Sequence, residues 1–303
     1  MASIRANILT KILKGVSYSD FDEDTLEAVE VARRKIQILA RVPMASGTRE
    51  LPAGIPNVRA VWHVGTQILP DIRLVYFHGG GYCTGSPQTH RHFTSTLAKL
   101  TGIPILSVDY RRAPEDPCPA QLEDGLAAYE WAANNGPQGP STARKVFIGG
   151  DSAGGGLTLS VAQALRDRQA LLPGGLVMLS PWLDTTITAD SVQRLGHVDF
   201  MISERHGQRW SRYVRNGRDP LDPVISPLFG DFHGLPPIYL CIGGQEILLD
   251  DALRAVEKAH AAGVPVTFER EEEMFHIWPI FGFFLPEGAK TTENIALWLN
   301  RRR

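Results

Sequence analysis

The chain has 303 residues and a mass of 33.4 kDa, with 43% hydrophobic and 21% charged residues. That balance excludes disordered, collagen-like and coiled-coil chains, and no internal repeat points to a solenoid or propeller. With 31 basic against 33 acidic side chains the formal charge is −2, which attracts neither nucleic acid nor an anionic membrane face.

In chain order, the opening run MASIRANILTKILKG is too short an apolar stretch for a signal peptide and is broken by Lys11 and Lys14. No later stretch approaches the ~20 apolar residues of a membrane span. Cys83, Cys118 and Cys241 are too widely spaced for a disulfide framework or a zinc site, so each is expected to act as a small buried side chain. A reduced, soluble, cytoplasmic protein without stable membrane association is expected. Ser19 and Asp20 are placed to cap a helix in which Leu26, Val29, Ile36 and Leu39 recur at helical spacing. Arg33, Arg34 and Lys35 lie together within it, as on a solvated face.

From about residue 58 the texture changes to short β-rich runs separated by helical patterns. The runs are Val58 to Val64, Ile72 to Phe77, Ile105 to Tyr110, Lys145 to Gly149, Leu176 to Ser180, Ile238 to Ile242 and Val266 to Glu269. Several are apolar throughout, as strands covered on both faces tend to be. Helical patterns occupy Gln121 to Asn134, Gly155 to Arg168 and Asp251 to Ala262, the last stopped by Gly263 and Pro265. This rhythm implies a single α/β domain over residues 1–303, a mostly parallel central sheet with helices on both faces. Between Asp184 and about Asn216 the rhythm stops, and five arginines interleave with Phe200, Trp210 and Tyr213. Insertions on such scaffolds lie where ligands bind. Residues 185–216 are therefore expected to form a helical cap with residues 1–45.

The chemistry concentrates in a few places. Gly150-Asp151-Ser152-Ala153-Gly154 is a G-x-S-x-G that follows an apolar strand and precedes a helix. A tight turn between small residues lifts the serine oxygen above the sheet, so Ser152 reads as a nucleophile. His78-Gly79-Gly80-Gly81-Tyr82 directly follows another strand, and three glycines let backbone N–H groups converge on an anion. Gly79, Gly80 and Gly81, with Ala153, are the expected oxyanion donors, and His78 is a structural hydrogen-bonder. Among nine histidines, His276 follows the last strand in EEEMFHIWPIF and is C-terminal to every late acid, which makes it the candidate general base. Glu246, Asp250 and Asp251 all qualify as its acid. Asp250 and Asp251 stand where a carboxylate would cap the next helix, so Glu246 ranks first. The order Ser152, Glu246, His276 is that of an α/β-hydrolase. Tyr82, Trp182, Phe200, Ile277 and Trp278 are candidate pocket residues, and no metal or cofactor is called for.

These motifs resemble the hormone-sensitive-lipase-like branch of bacterial carboxylesterases, of α/β-hydrolase fold. HGGGY and GDSAGG look like its two signatures, and Tyr110 to Glu115 with Pro117, Pro119 and Ala120 looks like its YRLAPE-x-P-x-PA segment. Ser180 to Asp184 and Ile225 to Leu228 resemble two further segments, the latter its ISPL. The likeness is weakest in the first fifty residues and in Asp184 to Asn216. Two positions depart: glutamate rather than aspartate at 246, and Ile277-Trp278 in place of the more frequent Gly-Phe. The resemblance implies a cap formed by the N-terminal helices and the insertion, and pairing as homodimers through a sheet edge. It also implies hydrolysis of a small ester, with short- to medium-chain acyl esters expected through a Ser-His-Glu triad and an acyl-enzyme. Lipase, lactone hydrolase, amidase and natural-product deacetylase activities use the same machinery. Plant hormone receptors resembling this branch lack the histidine, and here Ser152, Glu246 and His276 are all present.

Overall fold

The computed structural model describes residues 2–15 and 25–303, so the expected cap at Ser19 and Asp20 lies outside the described residues. Ten strands run in chain order among the described residues. They are β1 (Arg49–Pro52), β2 (Arg59–Val64), β3 (Ile72–Phe77), β4 (Ile105–Asp109), a two-residue pair β5 (Asn135–Gly136) and β6 (Gly139–Pro140), then β7 (Lys145–Asp151), β8 (Leu176–Leu179), β9 (Ile238–Gly243) and β10 (Val266–Glu271). All but β5 and β6 form one sheet in the order β1-β2-β4-β3-β7-β8-β9-β10. The pairings β1–β2 and β2–β4 are antiparallel, and every later pairing is parallel.

Nine α-helices accompany the sheet among the described residues: α1 (Ile4–Gly15), α2 (Leu26–Ile36), α3 (Pro87–Thr101), α4 (Ala120–Asn134), α5 (Ala153–Asp167), α6 (Asp190–Leu195), α7 (Glu204–Arg215), α8 (Leu249–Ala261) and α9 (Pro286–Asn300). Strand alternation sorts the core. Leu74 and Tyr76 of β3 join Phe93 and Leu97 of α3 and Trp298 of α9 on one face. Val75 and Phe77 join Leu126 of α4, Leu157 of α5 and Ala252 of α8 on the other. All six β3 side chains are buried, which is why that strand reads as an uninterrupted hydrophobic run apart from Arg73. The three cysteines are buried and unpaired. No helix among the described residues is long and apolar enough to cross a membrane.

Two expectations change in detail, at Thr25 and at Arg33. Thr25 caps α2, its hydroxyl accepting from the Ala28 N–H at 3.2 Å. Arg33 is not on a solvated face: it donates to the Cys83 and Ala113 carbonyls and forms a two-pronged pair with Glu115 at 2.7 Å, which fastens α2 to the body. The insertion folds as α6 and α7, with Ser203 capping α7 through the His206 N–H.

Register sets the site. Phe77 at the end of β3 pairs with Gly150 of β7, and Asp151 pairs with Leu179 of β8. The glycine loop after β3, the turn after β7, Ser180 after β8 and the Glu246 loop after β9 therefore emerge together, at the carboxyl ends of adjacent strands.

Candidate active site

Ser152 sits between β7 and α5 with φ +52° and ψ −121°, a backbone conformation that L-residues avoid. The turn is possible only because its neighbours are small: a Cβ on Gly154 would lie 2.0 Å from the Phe77 carbonyl oxygen. The Ser152 N–H is tied to Leu179 O at 2.8 Å, and Ser152 O accepts from Trp182 N at 2.9 Å. The side chain is 6% exposed, at the floor of a cavity that also holds His276.

His276 lies in the turn after β10. Its Nδ1 is 2.6 Å from Glu246 Oε2, and both residues are buried. The other carboxylate oxygen of Glu246 accepts from Ser180 Oγ at 2.7 Å and Gly243 N at 2.6 Å. Ser180 Oγ in turn accepts from Ile277 N at 3.0 Å, which closes a ring joining β8, the acid loop and the histidine turn. Burial pulls the His276 imidazole down, but the Glu246 carboxylate, with Asp199 and Asp151, outweighs it and holds the ring above its ordinary value.

The rivals of Glu246 are occupied elsewhere, though not as caps. Leu248 is the N-cap of α8, and Asp250 and Asp251 fall inside its first turn. Asp251 accepts from the Leu183 and Asp184 N–H groups at 3.0 Å, and Asp250 from Ser191 N at 2.7 Å. Asp250 and Asp251 thus stand at the start of α8 as partners of its dipole rather than as its N-cap, and the geometry puts Glu246 against the imidazole.

In the glycine loop, Gly81 has φ +61°, and a Cβ there would lie 2.3 Å from the Trp210 ring that the insertion lays across it. The Gly80, Gly81 and Ala153 N–H groups have no hydrogen-bond acceptor among the described residues. Gly79, included with them on sequence grounds, is different: it lines the cavity, but its N–H donates to Asp151 Oδ1 at 3.1 Å and so braces the loop. His78 is bonded through Nδ1 to Gly79 O at 2.8 Å and stacks on Tyr110. Burial, then the neighbouring His90, drives it down to about 3, so it stays neutral.

The cavity has about 510 Å³ of open space, its mouth included, and is walled by Ile36 and Leu39 from the N-terminal segment, Met201, Ile202 and Trp210 from the insertion, and Ile277, Ile280 and Phe281 after the histidine. Among the proposed pocket residues, Ile277 lines this cavity, and Phe200 lines a neighbouring apolar groove that shares Ile36, Leu39, Met201 and Phe281 with it. Tyr82, Trp182 and Trp278 do not line it: they are 4%, 3% and 0% exposed and belong to the core, Tyr82 packing on Trp182 at 5.9 Å between ring centres. Large aromatic side chains next to a turn satisfy the core before they satisfy a ligand. No group of three or more histidine, cysteine or carboxylate side chains among the described residues could hold a metal ion.

Sequence reasoning passed over the pair beneath the loop. Asp151, fully buried, accepts from Tyr76 Oη at 2.7 Å and Gly79 N at 3.1 Å, and faces His90 Nε2 at 3.2 Å. Burial raises a carboxylate, yet His90 and Tyr76 hold Asp151 below its ordinary value. Burial lowers an imidazole, yet Asp151 holds His90 above its own. A lowered carboxylate stabilises the fold above its unfolded pKa, and a raised imidazole below its own. The pair therefore contributes most between about pH 4 and 6.5, from the unperturbed values. Asp151→Asn, which strands a buried imidazole, should cost about 3 kcal/mol in urea unfolding, and most within that window. An equal loss at pH 5 and pH 9 would show that the charges are not coupled to folding.

Comparison with known proteins agrees with the geometry. Residues 74–280 match the family described as alpha/beta hydrolase fold. The chain is 38% identical over 276 residues to an acetyl-hydrolase of Streptomyces hygroscopicus, covering 89% of this chain and 90% of the relative. It is 34% identical over 224 residues to an esterase of Acinetobacter venetianus, 74% of this chain and 73% of that one. A crystal structure of an esterase from the bacterial hormone-sensitive lipase family superimposes over 100% of this chain and 99% of its own, at 33% identity and a TM-score of 0.91. With a matching sheet, a serine turn at the end of β7 and that breadth of overlap, the chain belongs to the alpha/beta hydrolase family, in the hormone-sensitive-lipase-like branch of carboxylesterases.

Proposed function

We propose that this carboxylic ester hydrolase cleaves small acyl esters by transfer of the acyl group to Ser152. The observation that carries the reading is the 2.6 Å contact of His276 Nδ1 with Glu246, in the cavity where Ser152 stands on its strained turn. That contact leaves Nδ1 as the protonated nitrogen and Nε2 as the base. Nε2 takes the Ser152 proton as Oγ bonds to the ester carbonyl carbon, and Glu246 stabilises the imidazolium. The N–H groups of Gly80, Gly81 and Ala153 receive the oxyanion, each such donor being worth about 3 kcal/mol. The tetrahedral centre collapses, the C–O bond to the alcohol breaks, and the imidazolium gives that oxygen its proton. Water then repeats the sequence on the acyl-serine and releases the acid.

The described part of residues 1–45, through Ile36 and Leu39, and residues 185–216, through Met201, Ile202 and Trp210, act as the cap in this scheme, supplying the apolar wall over the ester. Relatives named acetyl-hydrolase and esterase favour short acyl groups. Initial rates on p-nitrophenyl esters from acetyl to palmitoyl should peak among the short members. A sulfonyl fluoride should abolish turnover while adding one group to the peptide that carries Ser152. Turnover that persists with Ser152 fully labelled would overturn the reading.

A further inference from the structure

The insertion grips the loop that carries Glu246. Asp199, in the turn between α6 and α7, is 8% exposed and spends both carboxylate oxygens on backbone donors. Oδ1 accepts from Met201 N and Ile202 N, each at 2.9 Å, and these two residues wall the cavity over Ser152. Oδ2 accepts from Ile247 N, again at 2.9 Å, the peptide directly after Glu246. The carbonyl of the same Ile247 accepts from Ser191 Oγ at 2.6 Å, at the start of α6. Both peptide groups of the residue after Glu246 are therefore held by the insertion. Asp250 extends the grip through Ser191 N at 2.7 Å and Arg194 at 3.0 Å.

A buried carboxylate with three N–H donors fixes whatever those donors belong to. Here they belong to two segments far apart in sequence, the turn between α6 and α7 and the acid loop. We propose that Asp199 is a positioning residue for the reaction, locking the cavity wall at Met201 and Ile202 to the Glu246 loop so that cap and acid are set as one unit. This rests on the acyl-transfer reading above. The insertion then is not a lid swinging free of the chemistry, because any displacement of it pulls on Ile247.

Charge gives the proposal a signature that plain scaffolding lacks. Asp199 is pushed up to about 6 by burial, against the pull of His276 and its own N–H donors. Above that value its charge faces His276 together with the carboxylates of Glu246 and Asp151, and all three favour the imidazolium. Removing one of them lets burial draw His276 downward.

Asp199→Asn keeps the shape and one acceptor oxygen but turns an amide NH2 against the Ile247 N–H. On p-nitrophenyl acetate its kcat should fall 10- to 100-fold, the scale of a small misplacement of reacting groups, with KM nearly unchanged. The acid limb of kcat/KM should move to lower pH. Ser191→Ala, which loosens the same peptide but leaves the charge, should lower kcat without moving the limb. The His276 imidazole is titrated by NMR in the Ser152→Ala background, with and without Asp199→Asn, and should move down in the double variant. A folded Asp199→Asn with the wild-type kcat and limb would overturn the proposal, as would one that only melts earlier. If wild type shows no Ser152-dependent hydrolysis, the activity reading fails, and the His276 titration still decides whether Asp199 tunes that ring. Should Asp199→Asn not fold, the kcat of Ser191→Ala decides the positioning claim.

Discussion

Ser152→Ala should lower kcat/KM for p-nitrophenyl acetate by about 10⁴-fold or more, to the residue of rate that binding and oxyanion donors alone sustain. The size follows from the arrangement: the oxygen is the only group on the strained turn that can form the acyl bond. The fold should be untouched. Alanine is smaller than serine and keeps the same backbone needs, and Ser152 N and O remain bonded to Leu179 and Trp182. Circular dichroism and melting should match wild type, and a slowly dissociating acid product should still bind. A folded Ser152→Ala that keeps most of its rate would sink the acyl-enzyme mechanism. His276→Ala should lose nearly as much, since serine without its base is a weak nucleophile.

Glu246→Gln should cost up to about 10⁴-fold in kcat, and the reason is tautomeric. Glu246 accepts three hydrogen bonds on two oxygens: Ser180 Oγ and Gly243 N on one, His276 Nδ1 on the other. Glutamine has one acceptor oxygen. If it satisfies Ser180 and Gly243, its NH2 faces Nδ1, which must then accept. The ring proton moves to Nε2, the nitrogen that has to receive the serine proton. Activity also acquires a pH signature. In wild type the base is held above its ordinary 6.5, so kcat/KM should fall on acidification through a midpoint above that value. Without the carboxylate, burial prevails and the residual activity should titrate at lower pH. Asp250→Asn, by contrast, should leave that midpoint where it is. Rate–pH profiles of the three proteins settle it; an unmoved limb in Glu246→Gln would remove Glu246 from its role.

What could be read from the chain depended on whether a signal was local. The strands β2 to β4 and β7 to β10 announce themselves by apolar or β-branched runs, and the parallel order follows from helical patterns between them. β1 is four residues at the sheet edge, mostly exposed, with no alternation to see. α3 begins with Ser86 capping Thr89 N and Pro87 in its first turn and ends on the left-handed Gly102, all legible signs. Its threonines and histidines weakened the hydrophobic pattern and hid it. The serine turn and glycine loop were readable because their geometry demands small residues in a row. Asp199 was not: a lone aspartate in VDFMI looks like any loop residue until Ile247 arrives beside it. Arg33 looked like one of three basic surface neighbours for the same reason, since the partners that fasten it to the body lie 50 to 82 positions downstream and only Glu30 is local.

The two halves of the cavity roof are fastened to different things, and this divides the tasks of selection. Met201 and Ile202 hang from the carboxylate that also holds the peptide beside Glu246. Ile36 and Leu39 belong to a segment anchored through Arg33 to Cys83, Ala113 and Glu115, none of them in the acid loop. Substitutions on the insertion side bear on the acid loop, whereas those on the N-terminal side bear on the glycine loop, because Arg33 holds the Cys83 carbonyl at 2.8 Å and Cys83 N donates to Gly80 O at 3.0 Å. New acyl preferences are thus accessible through Ile36 and Leu39 without disturbing the acid loop, by drift or in a directed library.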